Sequence, residues 1–238
     1  MILAVAGGKG GVGKTTVALN LAAELGARKT TQSSSATHQN AARSEDAVLV
    51  DADLGMADVP AGRGPDLHDV LAGRAAPCEA VQGDGPVSVL PCGRTLAGAR
   101  EGDPRELASV LEAVEREFGT VVVDCPAGLQ ADVGVPLLAA DAAVVVTTPD
   151  RAAVADAVRV RSLARELDAG LAAVAYNRAD SGSERVADAL GAPTVAVPDA
   201  EGVERALAAG LPVRAVAAES TAAARFADLG ALVQSCSS

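Results

Sequence analysis

The sequence predicts an α/β protein with a doubly wound, mainly parallel sheet flanked by helices. Two observations lead to this fold class. Short apolar segments recur along the 238 residues, and segments with the apolar spacing of an α-helix separate them. The short segments are apolar on both faces, as strands are when helices cover both sides of a parallel sheet. Because no repeat or linker divides the chain, we expect a single domain spanning residues 1–238.

Strands and helices alternate from the first residues onward. Ile2–Ala6 is the first predicted strand, and Lys14–Leu25 is the helix that follows it and is expected to stop at Gly26. Further strands are predicted at Val48–Asp51, Val87–Leu90, Val121–Asp124, Val144–Thr147, Ala172–Tyr176 and Thr194–Val197. Further helices are predicted at Pro104–Glu117, Arg151–Leu167, Ser183–Leu190, Glu201–Ala209 and from near Ser220. Lys29–Asp46 interrupts the alternation because it is polar and has no apolar period, so we expect a surface insertion there.

Composition and charge exclude several classes of protein. Apolar residues make up 49% of the chain and charged residues 21%, which is typical of a globular protein. No stretch of about 18 apolar residues is present and no basic segment precedes the apolar start, so we expect a cytoplasmic protein without a transmembrane helix or secretory signal. The formal net charge of −11 and the near absence of aromatic residues disfavour binding to nucleic acid.

Lysine and cysteine are both rare in this chain. Arginine supplies all but three of the 20 basic residues, and an acidic, lysine-poor chain is typical of salt-loving archaea or of a GC-rich genome. The cysteines lie far apart and form no C-x-x-C motif, which argues against a zinc or iron–sulfur site within one chain and favours reduced thiols. They are Cys78, Cys92, Cys125 and Cys236.

A glycine-rich segment follows the first predicted strand. From Gly8 to Thr15 it satisfies G-x-x-x-x-G-K-[ST], in the order strand, loop and helix that a phosphate-binding loop requires. The N–H groups of such a loop surround an anion, and the start of the next helix adds its positive dipole end. Lys14 can bridge the β- and γ-phosphates, and the Thr15 hydroxyl can bind Mg²⁺. The predicted nucleotide contacts in this segment are Gly8, Gly10, Gly11, Val12, Gly13, Lys14, Thr15 and Thr16.

A second lysine inside this loop indicates one family. KGGVGKTT, residues 9–16, resembles the deviant Walker A motif of the MinD/ParA family of P-loop ATPases. The resemblance implies an ATP hydrolase of low intrinsic turnover that uses ATP and Mg²⁺ and forms an ATP-dependent homodimer. It also implies that Lys9 reaches the nucleotide of the partner subunit, and that Lys9, Lys14 and Asp53 are catalytic. The resemblance runs along nearly the whole chain, apart from the polar insertion.

Aspartates at the ends of predicted strands resemble the other motifs of the family. Asp51-Ala52-Asp53-Leu54-Gly55 is similar to its switch I, and Asp124-Cys125-Pro126-Ala127-Gly128 is similar to its Walker B and switch II. By this resemblance Asp53 orients the attacking water, Asp51 and Asp124 support Mg²⁺ together with Thr15, and Gly128 senses the γ-phosphate. Carboxylates at the carboxyl edge of a parallel sheet are well placed for these roles.

Two later segments are similar to the adenine-binding positions of the family. Asn177 lies at the end of the sixth predicted strand, and its amide can pair with a ring nitrogen and the exocyclic amine of adenine. Pro198 and Asp199 follow the seventh predicted strand. We therefore expect Asn177, Pro198 and Asp199 to flank the base.

Within the family, the match favours the MinD branch. Leu67–Gly73 (LHDVLAG) and Val89–Gly93 (VLPCG) resemble stretches of MinD proteins. This implies a spatial switch, with an ATP dimer, an ADP monomer and a protein partner that activates hydrolysis, in cell division or in positioning another cellular structure. Bacterial MinD proteins end in a basic amphipathic helix that inserts into lipid, but Arg225 is the only base in Ser220–Gln234. We therefore expect the apolar face there to pack on the sheet, and peripheral membrane contact to need another mode.

Three other functions stay open at this point. A ParA-like chromosome or plasmid partition ATPase would bind DNA, which the acidic charge disfavours. An accessory ATPase for metal-centre assembly would need a metal held by cysteines across a dimer. A nucleotide-binding scaffold would keep the phosphate loop but show no turnover.

Overall fold

Seven strands form one sheet at the centre of the computed structural model, which describes residues 1–32, 47–54, 59, 62–83, 85–93, 101–128 and 131–236. The strands are β1 (Ile2–Ala6), β2 (Ala47–Asp51), β3 (Ser88–Leu90), β4 (Thr120–Asp124), β5 (Ala142–Thr147), β6 (Gly170–Asn177) and β7 (Thr194–Val197). Their order is β3-β2-β4-β1-β5-β6-β7, and each neighbouring pair is parallel. The predicted doubly wound α/β fold is therefore confirmed, and every predicted strand is present.

Helices cover both faces of this sheet. In the described part of the chain they are α1 (Lys14–Gln32), α2 (Leu67–Leu71), α3 (Leu107–Phe118), α4 (Ala131–Ala139), α5 (Arg151–Glu166), α6 (Ser183–Leu190), α7 (Glu201–Ala208), α8 (Val213–Val216) and α9 (Thr221–Ser235). Buried side chains of α1 and α9 pack on one face, and those of α2, α3, α4 and α6 pack on the other. Because both faces are covered, β1, β2 and β4 are buried along their whole length.

The end of α1 differs from the prediction. The sequence predicts that this helix stops at Gly26, but the helix continues to Gln32. Gly26 lies against the start of β2, where an added Cβ would be 3.5 Å from the Ala47 nitrogen, so packing outweighs the poor helix propensity of glycine. The first residues of the predicted Lys29–Asp46 insertion are therefore helical, and residues 33–46 lie outside the described residues.

Three helices have no counterpart in the sequence prediction. α2 and α8 span only five and four residues, which is too short to show a period of 3.6 residues. α4 contains Pro136, which removes a helical hydrogen bond and usually ends a helix. Burial of Val133 and Leu137 against the sheet keeps α4 in place despite this residue.

The last helix packs on the sheet, as its apolar face predicts. Phe226, Leu229 and Val233 are buried in the cluster that also contains the apolar residues of α1, and Leu232 packs against that cluster. Among the described residues, no helix is long and apolar enough to cross a membrane.

Truncating Phe226 tests the contribution of this packing to stability. Phe226→Ala is expected to lower the free energy of unfolding by about 3–5 kcal/mol, because it leaves a cavity in a filled core. Leu138→Ala is the matched control, since Leu138 is 64% exposed and its truncation should change the free energy by less than about 0.5 kcal/mol. Urea denaturation of both variants measures the difference, and equal effects would show that α9 does not contribute to the core.

Candidate functional site

The carboxyl ends of β1, β2 and β4 meet at one edge of the sheet. Val5 in β1 and Asp51 in β2 are both register partners of Asp124 in β4. The Ala52 N–H donates to the Asp124 carbonyl at 3.0 Å, and the Cys125 N–H donates to the Val5 carbonyl at 3.1 Å. From this edge α1 packs on one face of the sheet and α4 on the other. Open α/β sheets form their ligand-binding crevice at the carboxyl edge, at the point where helices leave for opposite faces in this way.

The phosphate loop joins β1 to α1 and has an exposed tip and a buried base. Residues 9–11 are exposed, whereas Val12 and Lys14 are buried. The Val17 N–H donates to the Gly13 carbonyl at 3.0 Å and so begins the helical hydrogen bonding of α1. The first turn of this 19-residue helix contains no acidic side chain that would compete with a bound anion. Its N-terminal N–H groups therefore form an anion site together with the loop.

Asn177 connects the end of β6 to this loop. Its Nδ2 donates to the Val12 carbonyl at 2.9 Å, and the residue is only 5% exposed. Gly13 has a φ of +95°, and a Cβ added there would lie 2.2 Å from Nδ2. Position 13 therefore requires glycine while Asn177 holds the loop. Sequence reasoning assigned Asn177 to adenine and missed this contact with the phosphate loop; contact with adenine stays a prediction.

The other two predicted base contacts lie next to Asn177. Val197 in β7 is the register partner of Asn177. Pro198, which is partly buried, and Asp199, which is exposed, follow Val197 directly. The structure thus brings the three residues expected to flank adenine to the same edge of the sheet as the phosphate loop.

Lys9 contacts the beginning of α5. Its Nζ donates to Asp150 Oδ2 at 2.7 Å, and the two side chains are 51% and 47% exposed. Asp150 also caps α5, because its Oδ1 accepts the Ala152 N–H at 3.0 Å. The hydrogen bond between the two side chains raises the pKa of Lys9 and lowers the pKa of Asp150, so both are charged at neutral pH. Sequence reasoning missed Asp150, although a polar residue between a strand and a helix is a capping signal.

Asp51 is buried beneath the loop that follows β2. Its Oδ1 accepts the Asp53 N–H at 3.2 Å, and its Oδ2 accepts the Val59 N–H at 3.3 Å. The carboxylate therefore holds the main-chain N–H groups of Asp53 and Val59, a contact that the sequence did not indicate. Asp53 is partly buried beside it. The predicted role of Asp53 in orienting water stays a prediction.

The donor atoms at this edge fit a magnesium ion. Asp51 and Asp124 are neighbours across β2 and β4 and are 0% and 2% exposed. Buried carboxylates need compensating positive charge, and the charge of buried Lys14 reaches Cys125, which follows Asp124 directly. Asp124 and the Thr15 hydroxyl offer the oxygen ligands that Mg²⁺ prefers, with water and phosphate oxygens as its other ligands. Among the described residues, no group of three or more His, Cys, Asp and Glu is placed to hold a metal ion.

Gly128 lies just beyond β4 at the same edge. Its φ is +105°, a conformation that glycine adopts freely and other residues rarely adopt. Residues 129 and 130 lie outside the described residues, and the predicted contact of Gly128 with the γ-phosphate stays a prediction.

The chain is similar to several known proteins. A family model described as the CobQ/CobB/MinD/ParA nucleotide binding domain matches residues 3–213. An uncharacterized ATP-binding protein of Methanocaldococcus jannaschii is 29% identical over 96% of this chain and 86% of its own length. The septum site-determining protein MinD of Synechocystis is 31% identical over 74% of this chain, which spans 64% of that protein's length.

Solved structures share the fold. The septum site-determining protein MinD of Pyrococcus horikoshii, complexed with Mg-ADP, has a TM-score of 0.86 at 26% identity and covers 99% of this chain and 96% of its own. The cell division ATPase MinD of Pyrococcus furiosus has a TM-score of 0.85 at 29% identity, with 98% of each chain covered. Because the family model spans most of the sequence and the phosphate loop lies at the carboxyl edge of the matching sheet, this chain belongs to the CobQ/CobB/MinD/ParA family of ATP-binding P-loop ATPases.

Proposed function

We propose that this protein is a Mg²⁺-dependent ATPase of the MinD type. It dimerises around two ATP molecules, returns to a monomer with ADP, and acts as a spatial switch in cell division or in positioning another cellular structure. The observation that carries the proposal is the exposed Lys9 at the tip of the phosphate loop, which one chain holds at its surface through Asp150. A lysine in that position is open to a second subunit. The MinD proteins among the relatives support the same role.

Each residue of the site has a task in this proposal. The N–H groups of the loop and of the start of α1 bind the phosphates, and buried Lys14 balances their charge. Asp124 and Thr15, supported by Asp51, would hold Mg²⁺, which neutralises phosphate charge when bound. Asp53 orients the attacking water. Lys9 of the partner subunit stabilises the charge that develops on the transferred phosphoryl group.

The cysteines favour this proposal over a role in metal-centre assembly. Cys92 and Cys125 are each 1% exposed, and burial raises the pKa of both thiols. Buried, protonated thiols are poor ligands for a metal shared across a dimer surface. We predicted buried, reduced cysteines: Cys92 and Cys125 are buried, whereas Cys78 is partly buried and Cys236 is exposed, and all four are free thiols.

The proposed partners follow the same scheme. A second copy of the chain completes each site, and a protein partner activates hydrolysis. The net charge of −11 disfavours DNA as a partner. A cytoplasmic location with peripheral membrane contact stays a prediction.

The oligomeric state tests the switch directly. Asp53→Ala should bind Mg-ATP without hydrolysing it and should show twice the monomer mass of 23.5 kDa by light scattering, then the monomer mass with Mg-ADP. Wild type is run beside it, at low salt and at multimolar KCl in case the protein is halophilic. Lys14→Ala is the control, because loss of the buried phosphate contact should leave it monomeric with either nucleotide. A monomeric Asp53→Ala protein in Mg-ATP would contradict the switch.

Mixing two inactive variants tests whether Lys9 acts across the dimer. Lys9→Ala and Asp53→Ala should each bind Mg-ATP and lose turnover. In a mixed dimer, the Lys9→Ala subunit keeps its own Asp53 and receives Lys9 from its partner, so one site is complete. An equal mixture should therefore recover about a quarter of wild-type turnover, since about half of the dimers are mixed. No recovery in a mixture that still forms dimers would place Lys9 in its own site.

A comparison of two ligands separates the roles of Asn177. Its contact with the Val12 carbonyl indicates that it supports the phosphate loop, whatever else it binds. Asn177→Ala should therefore weaken binding of both Mg-ATP and Mg-tripolyphosphate, each by about tenfold, as expected for one lost buried hydrogen bond. Calorimetry measures both affinities. A loss confined to Mg-ATP would show that the amide reads adenine and does not support the loop.

A further inference from the structure

A buried histidine and a buried cysteine form a pair behind Asp53. Cys92 follows β3 and is 1% exposed, and His68 in α2 is 4% exposed. His68 Nε2 lies 3.6 Å from Cys92 Sγ, and the His68 N–H donates to the Cys92 carbonyl at 3.1 Å. The Cys92 thiol in turn donates to the Asp53 carbonyl at 3.0 Å. A chain of contacts therefore runs from α2 through Cys92 to the loop that carries Asp53.

The contacts determine where the protons lie. Burial, reinforced by the charges of Asp51 and Asp53, raises the pKa of Cys92, so the sulfur keeps its one proton. That proton points to the Asp53 carbonyl, and the imidazole therefore donates from Nε2 to the sulfur. His68 Nδ1 has no hydrogen-bond partner among the described residues.

Burying the Nδ1 nitrogen without a hydrogen-bond partner costs free energy. This indicates that the position of the His68 ring is set by its other contact, from Nε2 to Cys92 Sγ. The position of Gly93 leads to the same conclusion. A Cβ added at Gly93 would lie 2.3 Å from Nδ1 and 2.7 Å from Cγ of His68, so the glycine leaves the space that the ring occupies. The φ of Gly93, +131°, also favours glycine.

Asp53 is consequently held on both sides of its main chain. Asp51 Oδ1 accepts its N–H at 3.2 Å, and the Cys92 thiol donates to its carbonyl at 3.0 Å. The side chain of Asp53 takes part in neither contact. Two buried groups, one at the end of β2 and one in the segment after β3, thus fix the backbone from which this carboxylate projects.

We propose that Cys92 and His68 are positioning residues that hold Asp53 in the geometry needed for ATP hydrolysis. The thiol fixes the Asp53 carbonyl, and the imidazole fixes the thiol. This inference rests on the proposed function, because it takes Asp53 to orient the attacking water. Neither residue contacts nucleotide in this scheme, so their loss should affect turnover and leave nucleotide affinity nearly unchanged.

Cysteine variants test the inference, because they are expected to change kcat and to leave KM nearly unchanged. Cys92→Ala should lower kcat of Mg-ATP hydrolysis by about tenfold, as expected for one lost hydrogen bond, and change KM by less than about twofold. Cys92→Ser keeps a donor and should recover kcat to within about threefold of wild type. Cys78→Ala is the matched control, since Cys78 is partly buried on the short helical turn at Pro77–Glu79 and should leave kcat unchanged. His68→Phe keeps the ring volume without Nε2 and tests the same contact if Cys92→Ala does not fold.

Hydrogen exchange provides a readout that does not depend on turnover. Amides of Asp53 and Leu54 should exchange faster in Cys92→Ala or His68→Phe than in wild type, Cys92→Ser and Cys78→Ala. Unchanged exchange, or a normal kcat in these two variants, would overturn the positioning role. An inactive wild type, or full activity in Asp53→Ala, would instead overturn the proposed function, and exchange would still show whether the pair holds Asp53.

Discussion

The hydrogen bonds that place β1 between β4 and β5 are the constraint on which the whole site depends. They set the register in which Val5 lies beside Asp124 and Ala6 beside Val145, so the chain leaves β1 at the middle of the sheet edge. The phosphate loop must then start beside the carboxylate of β4, and α1 must cross one face of the sheet. A shift of two residues in this register would separate the loop from Asp124 by about 6–7 Å.

Around this edge, the main chain is held by buried polar side chains from distant parts of the sequence. Asn177 binds the Val12 carbonyl in the phosphate loop. Asn20 bridges the Thr16 carbonyl, at 2.8 Å, and the Val213 N–H, at 2.7 Å, and so connects α1 to α8. Asp51 and Cys92 hold Asp53 in the same way. Buried side chains of this kind restrict a loop without covering the surface that faces the ligand.

The two lysines of the phosphate loop differ in burial and therefore in their contacts. Lys14 is 9% exposed at the base of the loop, and its charge reaches the Cys125 thiol next to Asp124. Lys9 is half exposed and bound to Asp150 at the N-terminus of α5. An exposed ion pair of this kind contributes little to stability. In the dimer that we propose, Lys9 can therefore change its contact at little cost in stability, whereas Lys14 stays at the base of its own loop.

The sequence by itself determined the order of strands along the chain, the phosphate loop and the aspartates at strand ends, because apolar period and glycine spacing are local properties. It did not determine the end of α1 or the presence of α4, since packing on the sheet overrides the effects of Gly26 and Pro136. Only the tertiary structure decided the partners of Asn177, Lys9 and Cys92. These contacts join residues 39 to 165 positions apart, and no local pattern encodes which distant main-chain atom a buried polar group will meet.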